Sequence, residues 1–337
     1  VIDSAEDLDG DRLGNLGEQR WRTHPGKKDT DGDGTLDGAE DKNRNGISNA
    51  REQDRRRLPS RLRPALGGAK WNLPADFERC NTAGRHSTLK PCWFGPRDSD
   101  TLIALMGDSH AMIWLPAAKR IAKRRGWRLV TLFKVGCTPL LGTLNKSTYE
   151  RDGGRACSEW RQAAYAWLAR RPIDLFVIGH TDGARLMTSD GRQLIGDDLI
   201  EAWRTGVEKT IAALPDPRKV VLMGDVPLNR RDPVKCLRRS PRNISRCVTA
   251  REPLPSRTVE RAIRQAATDN GAQFHTLYDH ICSYDPCPLV QGRVLIWRDS
   301  HHLTATFTAR LTPSLRRLFA KGLDGATGAS VQRSRTS

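Results

Sequence analysis

The stretch Thr101-Leu-Ile-Ala-Leu-Met-Gly-Asp-Ser-His110 joins a short apolar run to a polar turn. An apolar run of this length, closed by glycine and aspartate, predicts a buried strand over 101–106. A helix is predicted from about Trp114 to Arg125, and a second strand follows it over 127–133. The order strand, helix, strand is typical of a parallel sheet, so this stretch decides the fold class.

The same alternation continues towards the carboxyl terminus. Further segments with strand or helix patterns are predicted at 157–170 (helix), 174–178 (strand), 197–213 (helix), 219–223 (strand), 256–270 (helix) and 273–277 (strand), with a last helix after His302. We therefore predict an α/β fold, a parallel sheet with helices on both faces. Ligand sites in such sheets lie at the carboxyl ends of the strands.

Changes in composition divide the chain. We predict acidic repeats over 1–54, a charged linker broken by proline over 55–77, a globular body over 78–322 and a disordered tail over 323–337. A membrane-spanning helix needs about 20 consecutive apolar residues, and no apolar stretch of the sequence approaches this length. The chain begins at Val1 without the apolar core of a signal peptide, which suggests a processed or excised piece of a longer product.

The net charge of +17 first suggests a nucleic-acid partner. The arginines are spread along the chain, without interleaved aromatic residues or a known nucleic-acid-binding motif, so we expect no nucleic acid. A basic surface also suits anionic cell-wall polymers. Ordinary solvated surface charge is the simpler explanation.

Eight cysteines fall into four couples that are close in sequence. None forms a Cys-x-x-Cys pair, which argues against a zinc site. Eight cysteines allow about a hundred connectivities, so local pairing is a prediction from loop closure, and eight buried thiols in a cytosolic protein are the alternative. Disulfides favour an extracytoplasmic location. The predicted pairs are Cys80 with Cys92, Cys137 with Cys157, Cys236 with Cys247, and Cys282 with Cys287.

The acidic segment contains a repeated pattern of oxygen-bearing side chains. Asp29-Thr-Asp-Gly-Asp-Gly-Thr-Leu-Asp-Gly-Ala-Glu40 has the spacing of a calcium loop, with glycine at the sixth position for the sharp turn. Asp41–Glu52 repeats it with amides, and Asp7–Glu18 repeats it with Arg12 in place of the glycine. An acidic disordered leader is the alternative. The predicted Ca²⁺ ligands are Asp7, Asp9, Asp11, Asp29, Asp31, Asp33, Thr35, Asp37, Glu40, Asp41, Asn43, Asn45, Asn49 and Glu52.

These copies resemble the thrombospondin type 3 repeats of bacterial secreted proteins over about residues 5–54. Asp29-Thr-Asp-Gly-Asp-Gly34, followed by Asp37-Gly, carries the resemblance. It implies a calcium-stiffened stalk. Flanking helices of EF-hand length are not evident, so we expect a stalk rather than a calcium switch.

Two polar motifs carry the chemistry of a serine nucleophile. Ser109 follows the first predicted strand in a turn that enters a helix, where backbone N–H groups can stabilise an oxyanion. Asp299 and His302 follow the apolar run 294–297, which predicts a strand, and their spacing lets the carboxylate orient the imidazole as a base for the serine. Each motif also has an ordinary explanation, a common turn and a helix cap.

The body resembles an SGNH-family domain over about residues 78–320, of the kind appended to the membrane acyltransferases (acyltransferase type 3) that O-acetylate cell-surface carbohydrates. The resemblance implies Ser109 as nucleophile, His302 as base, Asp299 as its orienting group and no cofactor at the catalytic site. It is carried by Cys92-Trp-Phe-Gly95, Gly107-Asp-Ser-His-Ala111, Lys134-Val-Gly-Cys-Thr-Pro139, Cys157-Ser-Glu-Trp160, Gly224-Asp-Val-Pro227 with Cys236, Cys282 with Cys287-Pro288, and Trp297-Arg-Asp-Ser-His-His-Leu-Thr304.

One block departs from the family pattern. The resemblance implies oxyanion donors from the Ser109 N–H and the Gly136 N–H. Many esterases of this superfamily add an asparagine from Gly-x-Asn-Asp, whereas the domains appended to acyltransferases often lack that block. Here the strand end has Gly179-His-Thr-Asp182 instead. The direction of acyl transfer therefore stays open. His110 and His301 are expected to form hydrogen bonds in the wall of the site.

The expected function is an extracytoplasmic serine acyltransferase or esterase. It would move an acetyl-sized acyl group to or from hydroxyls of a cell-surface carbohydrate through an acyl-serine intermediate. Expected partners are a carbohydrate or cell-wall polymer and a membrane acyltransferase domain encoded upstream or separately. A catalytically weak, calcium-stabilised binding or adhesion module on an SGNH scaffold is the alternative, against which the intact Ser109, Asp299 and His302 argue.

Overall fold

A computed structural model describes residues 7–42, 48–53, 58–250, 255–283 and 286–327. The strands in these ranges are β1 (Cys92–Phe94), β2 (Leu102–Gly107), β3 (Arg128–Phe133), β4 (Leu175–Gly179), β5 (Val220–Met223), β6 (Gln273–His275), β7 (Val290–Gln291) and β8 (Val294–Leu295). The helices are α1 (Asn15–Trp21), α2 (Asn49–Gln53), α3 (Phe77–Cys80), α4 (Ser109–Met112), α5 (Leu115–Arg125), α6 (Lys146–Asp152), α7 (Arg155–Ala169), α8 (Gly196–Ala212), α9 (Pro233–Arg239), α10 (Pro255–Asp269), α11 (Tyr278–Ile281), α12 (Ala305–Arg310) and α13 (Thr312–Thr327).

Two compact units make up the described chain. The larger unit takes its described residues from 73–226, 253–277 and 308–337, and the smaller from 1–72, 227–252 and 278–307. Within the ranges that the structure describes, no helix has both the length and the apolar character needed to cross a bilayer.

The larger unit is built on a six-stranded sheet with the order β1-β3-β2-β4-β5-β6. The five strands from β2 to β6 pair in parallel, and β1 pairs antiparallel with β3 at one edge. The predicted α/β fold with a parallel sheet is therefore confirmed. Every residue of β4 is buried, which explains why this strand is a continuous apolar run rather than an alternating one.

Alternate residues of the central strands pack against helices on opposite faces of the sheet. Phe176 and Ile178 share one core cluster with the fully buried Trp160 of α7 and Trp203 of α8. Leu175 points to the other face, where a Cβ on Gly322 of α13 would approach it within 2.8 Å. Burying a large apolar side chain contributes about 1.5 to 3 kcal/mol, so both helical layers stabilise the sheet.

Helix α13 extends further than the sequence predicts. It continues to Thr327, whereas a disordered tail is predicted from residue 323. Gly322 packs closely on the sheet and Ala326 is buried, so apolar contact holds the last turns in place. Residues 328–337 of the predicted tail lie outside the described residues.

Four disulfides contain all eight cysteines, so the prediction of disulfides is confirmed. In the larger unit one bond ties the end of α3 to the start of β1, and a second joins the loop after β3 to α7. The other two lie in the smaller unit, one at α9 and one after α11. The bonded pairs are Cys80–Cys92, Cys137–Cys157, Cys236–Cys247 and Cys282–Cys287.

The apolar run over 294–297 is predicted as one strand, and the structure forms only the first half of it. Only Val294 and Leu295 form a strand, and it pairs with β7 in a two-stranded hairpin of the smaller unit. Gly292 has a φ of +61°, which suits the tight turn between the two strands. Leu295 also donates its backbone N–H to the carbonyl of Arg63, so a distant segment of the same unit takes up a backbone group of this run.

Candidate active site

The carboxyl ends of three neighbouring strands of the larger unit lie in register. Gly107 of β2 is paired with Gly179 of β4, and Gly179 is paired with Met223 of β5. A Cβ on Gly107 would come within 1.9 Å of the Gly179 carbonyl oxygen, so only glycine allows the two backbones to approach this closely. The turns that follow these strands therefore lie along one edge of the sheet.

Ser109 is the first residue of α4 and is half-buried. Asp108 caps this helix, since its Oδ1 accepts a hydrogen bond from the His110 N–H at 2.8 Å. The Oδ2 of Asp108 accepts another from the Thr181 N–H at 3.0 Å. One carboxylate thus fixes the turn that presents Ser109 and ties it to the loop after β4.

The side chain next to Ser109 belongs to a buried ion pair. His110 Nδ1 lies 2.5 Å from Asp225 Oδ1, and the two side chains are 2% and 4% exposed. Burial lowers the pKa of His110, but Asp225, with smaller contributions from Asp108 and Asp182, outweighs it and raises that pKa to about 9. Asp225 also accepts the Asp182 N–H at 2.9 Å. The pair therefore joins the turn after β2 to the ends of β4 and β5.

His180 follows Gly179, the last residue of β4, in the block that departs from the family pattern. Its Nε2 lies 3.0 Å from Asp182 Oδ1, and both side chains are buried. The ring also packs near Trp203, with 5.6 Å between ring centroids. Burial raises the pKa of Asp182, while Asp182 raises that of His180 against the effect of its own burial. His180 is thus engaged within the larger unit, and its geometry gives no support for a replacement oxyanion donor.

Gly136 lies in the turn after β3. The Lys134 N–H donates to the Gly107 carbonyl at 3.0 Å, which brings this turn beside the one that carries Ser109. Gly136 has a φ of +76°, a left-handed conformation that glycine adopts without strain. The Ser147 hydroxyl donates to its carbonyl at 3.4 Å.

Asp299 and His302 are in contact within the smaller unit. His302 Nδ1 lies 2.8 Å from Asp299 Oδ2 and 3.0 Å from Oδ1. The backbone N–H groups of His301 and His302 donate to Asp299 Oδ1 at 3.0 and 2.8 Å. Burial raises the pKa of Asp299, but the hydrogen bond and charge of His302, with the two backbone bonds, outweigh it and hold that pKa well below its usual range. Asp299 is therefore ionised, and its carboxylate is oriented to accept a hydrogen bond from His302 Nδ1.

The sequence motifs lie in different units. Ser109 and Gly136 belong to the larger unit, and Asp299 and His302 belong to the smaller. The structure thus brings the predicted orienting carboxylate and the predicted base together, and it places the predicted nucleophile at a sheet edge rich in buried polar groups.

Asp108 and Asp225 also lie at this edge, although the sequence motifs assign neither of them a role. Asp108 directly follows Gly107, the last residue of β2, and Asp225 lies two residues beyond the end of β5. The rule that sites lie at the carboxyl ends of strands could have indicated both aspartates. The bond between His110 and Asp225 joins residues 115 positions apart. A single sequence contains no pattern that predicts a contact at this separation.

The central acidic loop brings three of its predicted Ca²⁺ ligands together. One carboxylate oxygen from each of Asp29, Asp31 and Asp33 lies within 4.8 Å of the other two. Asp37 is buried and accepts from the Thr30 N–H and hydroxyl at 3.0 and 2.6 Å. Thr35 is exposed, and Glu40 and Asp41 are partly buried.

The other two copies are described in part. In the first copy one carboxylate oxygen from each of Asp7, Asp9 and Asp11 also lies within 4.8 Å of the other two. In the third copy Asn49 is buried and donates to the Asp37 carbonyl at 2.7 Å. Asn43, Asn45 and the side chain of Glu52 lie outside what the structure describes.

The sheet and its polar strand ends define an α/β domain with a candidate site at the carboxyl ends of its strands. Residues 79–317 match the family model described as "SGNH domain (fused to AT3 domains)". The match covers more than two thirds of the 337 residues, and the chain therefore belongs to this SGNH family.

Comparison with whole proteins adds a structural resemblance. No curated protein sequence matches the chain. A solved structure that resembles it is the periplasmic domain of a lipopolysaccharide acetyltransferase from Salmonella ser. Paratyphi A. The two share 15% sequence identity with a TM-score of 0.47, over 70% of this chain and 85% of that chain.

Proposed function

We propose that the chain is an extracytoplasmic serine acyltransferase or esterase that moves an acetyl-sized acyl group to or from a hydroxyl of a cell-surface carbohydrate. Membership of the SGNH family supports an acyl-transfer or esterase type of function. The observation that carries the proposal is the oriented Asp299–His302 pair, because an imidazole held this way by an ionised carboxylate is a general base. Four disulfides support an oxidising compartment.

In the proposed first step His302 Nε2 takes the proton of the Ser109 hydroxyl while Oγ attacks the carbonyl carbon of an acyl ester. The N–H groups of Ser109 and Gly136 donate to the oxyanion of the tetrahedral intermediate. The intermediate collapses, the bond to the donor oxygen breaks, and His302 returns the proton to that oxygen. The product is an acyl ester on Ser109.

In the second step an acceptor hydroxyl loses its proton to His302 and attacks the acyl-serine carbonyl. Collapse of the second intermediate releases Ser109, which regains its proton from His302. Asp299 stays ionised throughout and stabilises the imidazolium. A sugar hydroxyl as acceptor gives transferase activity, and water gives esterase activity.

The missing asparagine favours slow hydrolysis. Removal of one oxyanion donor costs about 10² to 10³ in rate, and the buried His180 offers no evident replacement. We therefore expect weak turnover of a simple ester. In this proposal a membrane acyltransferase domain supplies the acyl donor and a carbohydrate or cell-wall polymer accepts the group.

The experiment compares three forms of the chain in p-nitrophenyl acetate hydrolysis. Ser109→Ala should lower the rate on the order of 10³-fold or more, because the nucleophile is lost. Ser189→Ala is the matched control, since Ser189 is an exposed serine. Equal rates for wild type and Ser109→Ala would overturn the serine mechanism. Mass spectrometry of bare glycans incubated with the acyl donor then separates transfer from hydrolysis.

The absence of the Gly-x-Asn-Asp asparagine favours one other function, a catalytically weak binding or adhesion module stabilised by Ca²⁺. On that alternative, wild type and Ser109→Ala bind an acetylated glycan with equal affinity and neither turns it over. Glycan binding measured by calorimetry, beside the hydrolysis assay, distinguishes the two functions.

A further inference from the structure

Two tryptophans and two arginines of the larger unit form a stacked row. Arg128 Cζ lies 4.5 Å from the centroid of the Trp93 ring. The two tryptophan rings are neighbours, with 6.0 Å between the centroids of Trp93 and Trp167. Arg171 Cζ lies 3.3 Å from the centroid of the Trp167 ring. The order is therefore cation, aromatic ring, aromatic ring, cation, and we name these four side chains the Trp–Arg row.

A cleft of about 580 Å³ opens beside the Trp–Arg row. It is lined by Trp167, Arg170, Arg171, Leu89, Ala163 and Ala166. A volume of this size falls in the range of ligand-binding clefts. Arg170 is exposed, and Trp93 keeps 38% of its surface exposed although two side chains pack against it. Positive charge and aromatic surface are therefore both accessible to a ligand.

No carboxylate neutralises the arginines at this surface. Arg128, Arg170 and Arg171 form no ion pair with any residue that the structure describes. Burial and the positive charge of Arg170 both lower the pKa of Arg171. Neighbouring guanidinium groups without a counter-charge repel each other and attract an anion. The surface is therefore complementary to a negatively charged ligand.

The protein itself holds the arginines of the row in place. Arg171 Nη1 donates to the Trp167 carbonyl at 2.5 Å, at the end of α7, while the guanidinium stacks on the Trp167 ring. Arg128 Nη1 donates to the Pro96 carbonyl at 3.4 Å. A guanidinium that is already oriented loses little entropy on binding, and its remaining N–H groups suit the two oxygens of a carboxylate. Helix capping accounts for Arg171 but gives no role to the exposed Arg170.

The Trp–Arg row lies at the opposite end of the sheet from Ser109. Arg128 is the first residue of β3, and Arg171 comes four residues before Leu175, where β4 begins. Ser109 instead follows the carboxyl end of β2. At about 3.3 Å per residue, the two ends of a six-residue strand are about 17 Å apart. A ligand that reaches both places is therefore a chain of several units rather than one sugar.

We propose that the Trp–Arg row and Arg170 bind an acidic polysaccharide, one whose sugar units carry carboxylates, at a distance from the catalytic centre. The guanidinium groups donate to the carboxylates, and the tryptophan rings offer apolar surface to the C–H groups of the sugar rings. Four disulfides argue against a nucleic acid as the anion. This inference rests on the proposed function, since the same polymer would present its acceptor hydroxyls to Ser109.

The test measures binding of polygalacturonate, a polymer of carboxylated sugars, to the full chain by calorimetry, with neutral dextran titrated in parallel. We expect wild type to bind polygalacturonate at least about tenfold more tightly than dextran. Arg170→Glu should weaken this binding about tenfold or more, because it puts like charges together. Arg261→Glu is the matched control, since Arg261 is an exposed arginine of α10, and it should weaken binding less than about threefold. Equal losses in the two variants would overturn the proposal, as would wild type that binds no polygalacturonate at millimolar sugar.

Trp93→Ala tests the aromatic part of the row at constant net charge. It should weaken polygalacturonate binding about fivefold or more, because it removes a stacking surface and the partner of Arg128. Trp71→Ala is the control, since Trp71 is also exposed, and it should bind like wild type. Unchanged affinity in Trp93→Ala counts against the site. Tighter binding of polyphosphate or single-stranded DNA than of polygalacturonate also refutes it, because neither carries carboxylates.

Hydrolysis of p-nitrophenyl acetate separates this inference from the proposed function. Arg170→Glu should hydrolyse this small ester at the rate of wild type, because the ester does not reach the row. If hydrolysis depends on Ser109 and polygalacturonate does not bind, only the polysaccharide site is refuted. If polygalacturonate binds as expected and Ser109→Ala hydrolyses the ester like wild type, only the serine mechanism is refuted. Where circular dichroism shows that Trp93→Ala does not fold, the comparison of Arg170→Glu with Arg261→Glu decides.

Discussion

Two histidine–aspartate pairs of similar geometry occupy very different surroundings. In the smaller unit Asp299 and His302 are three residues apart, and their side chains are 29% and 11% exposed. In the larger unit His110 and Asp225 come from distant parts of the chain and are 2% and 4% exposed. Both pairs join Nδ1 of the imidazole to a carboxylate.

The surroundings indicate different tasks for the two pairs. A base must exchange protons with a substrate, and in the first pair the carboxylate of Asp299 keeps 29% of its surface exposed, whereas both members of the second pair are almost fully enclosed. A fully buried pair is expensive to break, because the remaining charge has no solvent to replace its partner. We therefore interpret Asp299–His302 as the reactive pair and His110–Asp225 as a positioning pair that holds the turn at Ser109. Because both pairs contain the same residue types, their different burial is what assigns them different roles.

The largest effect is expected from Asp299→Asn. Replacement of the orienting aspartate of a Ser-His-Asp triad lowers kcat by about 10⁴, since the imidazole takes the wrong tautomer. The free energy of unfolding should fall by less than for a fully buried pair, because Asp299 is 29% exposed and solvent takes over part of the role of the carboxylate. Ester hydrolysis and urea unfolding of the same preparation measure both quantities. A large loss of stability with an unchanged rate would reverse the roles that we assign.

Asp225→Asn should have the opposite profile. Removing one partner of a buried ion pair costs about 3 to 5 kcal/mol, because the buried imidazole of His110 loses its counter-charge. Guanidinium unfolding measures this loss. The control is His110→Asn combined with Asp225→Asn, which should cost less than the sum of the single changes, since the double variant buries no lone charge. A loss below about 1 kcal/mol for Asp225→Asn would contradict a structural role.

The two pairs also differ in sequence separation, and this difference decides which of them the sequence can predict. Asp299 and His302 are close in sequence, so their contact follows from local geometry, and the α/β fold follows from the alternation of apolar runs and amphipathic helices. His110 and Asp225 meet only because β2, β4 and β5 align their ends, and no local pattern records which strands become neighbours.

The run over 294–297 shows another limit. Its residues resemble those of a central strand, but apolar composition alone does not state which partner a strand will take. The turn at Gly292 and the bonds to Arg63 place it in a hairpin of the smaller unit. The sequence also does not predict that α13 continues to Thr327. Gly322 and Gly325 are poor helix formers, and their helical conformation depends on packing that the local sequence does not reveal.

The His110–Asp225 pair should also make the free energy of unfolding depend on pH in the alkaline range. The pKa of His110 is raised from 6.5 to about 9 in the folded protein by Asp225, Asp108 and Asp182. Its contribution to stability is therefore complete below the unfolded value and is lost as pH rises through about 9, with a slope of at most about 1.4 kcal/mol per pH unit. Urea unfolding between pH 6 and 10 measures this slope. His110→Gln should lack that component, and an identical slope in the variant would refute the assignment.

The smallest effect is expected from a third pair, which extends the comparison to full exposure. Arg155 Nη1 lies 3.2 Å from Glu159 Oε1 on α7, and the side chains are 72% and 46% exposed. Solvent screens such a pair and replaces either partner, so Arg155→Ala should change the free energy of unfolding by no more than about 0.5 kcal/mol. Raising the salt concentration should change the stability of wild type and variant alike. If Arg155→Ala cost as much as Asp225→Asn, burial would not explain the difference between the two histidine–aspartate pairs.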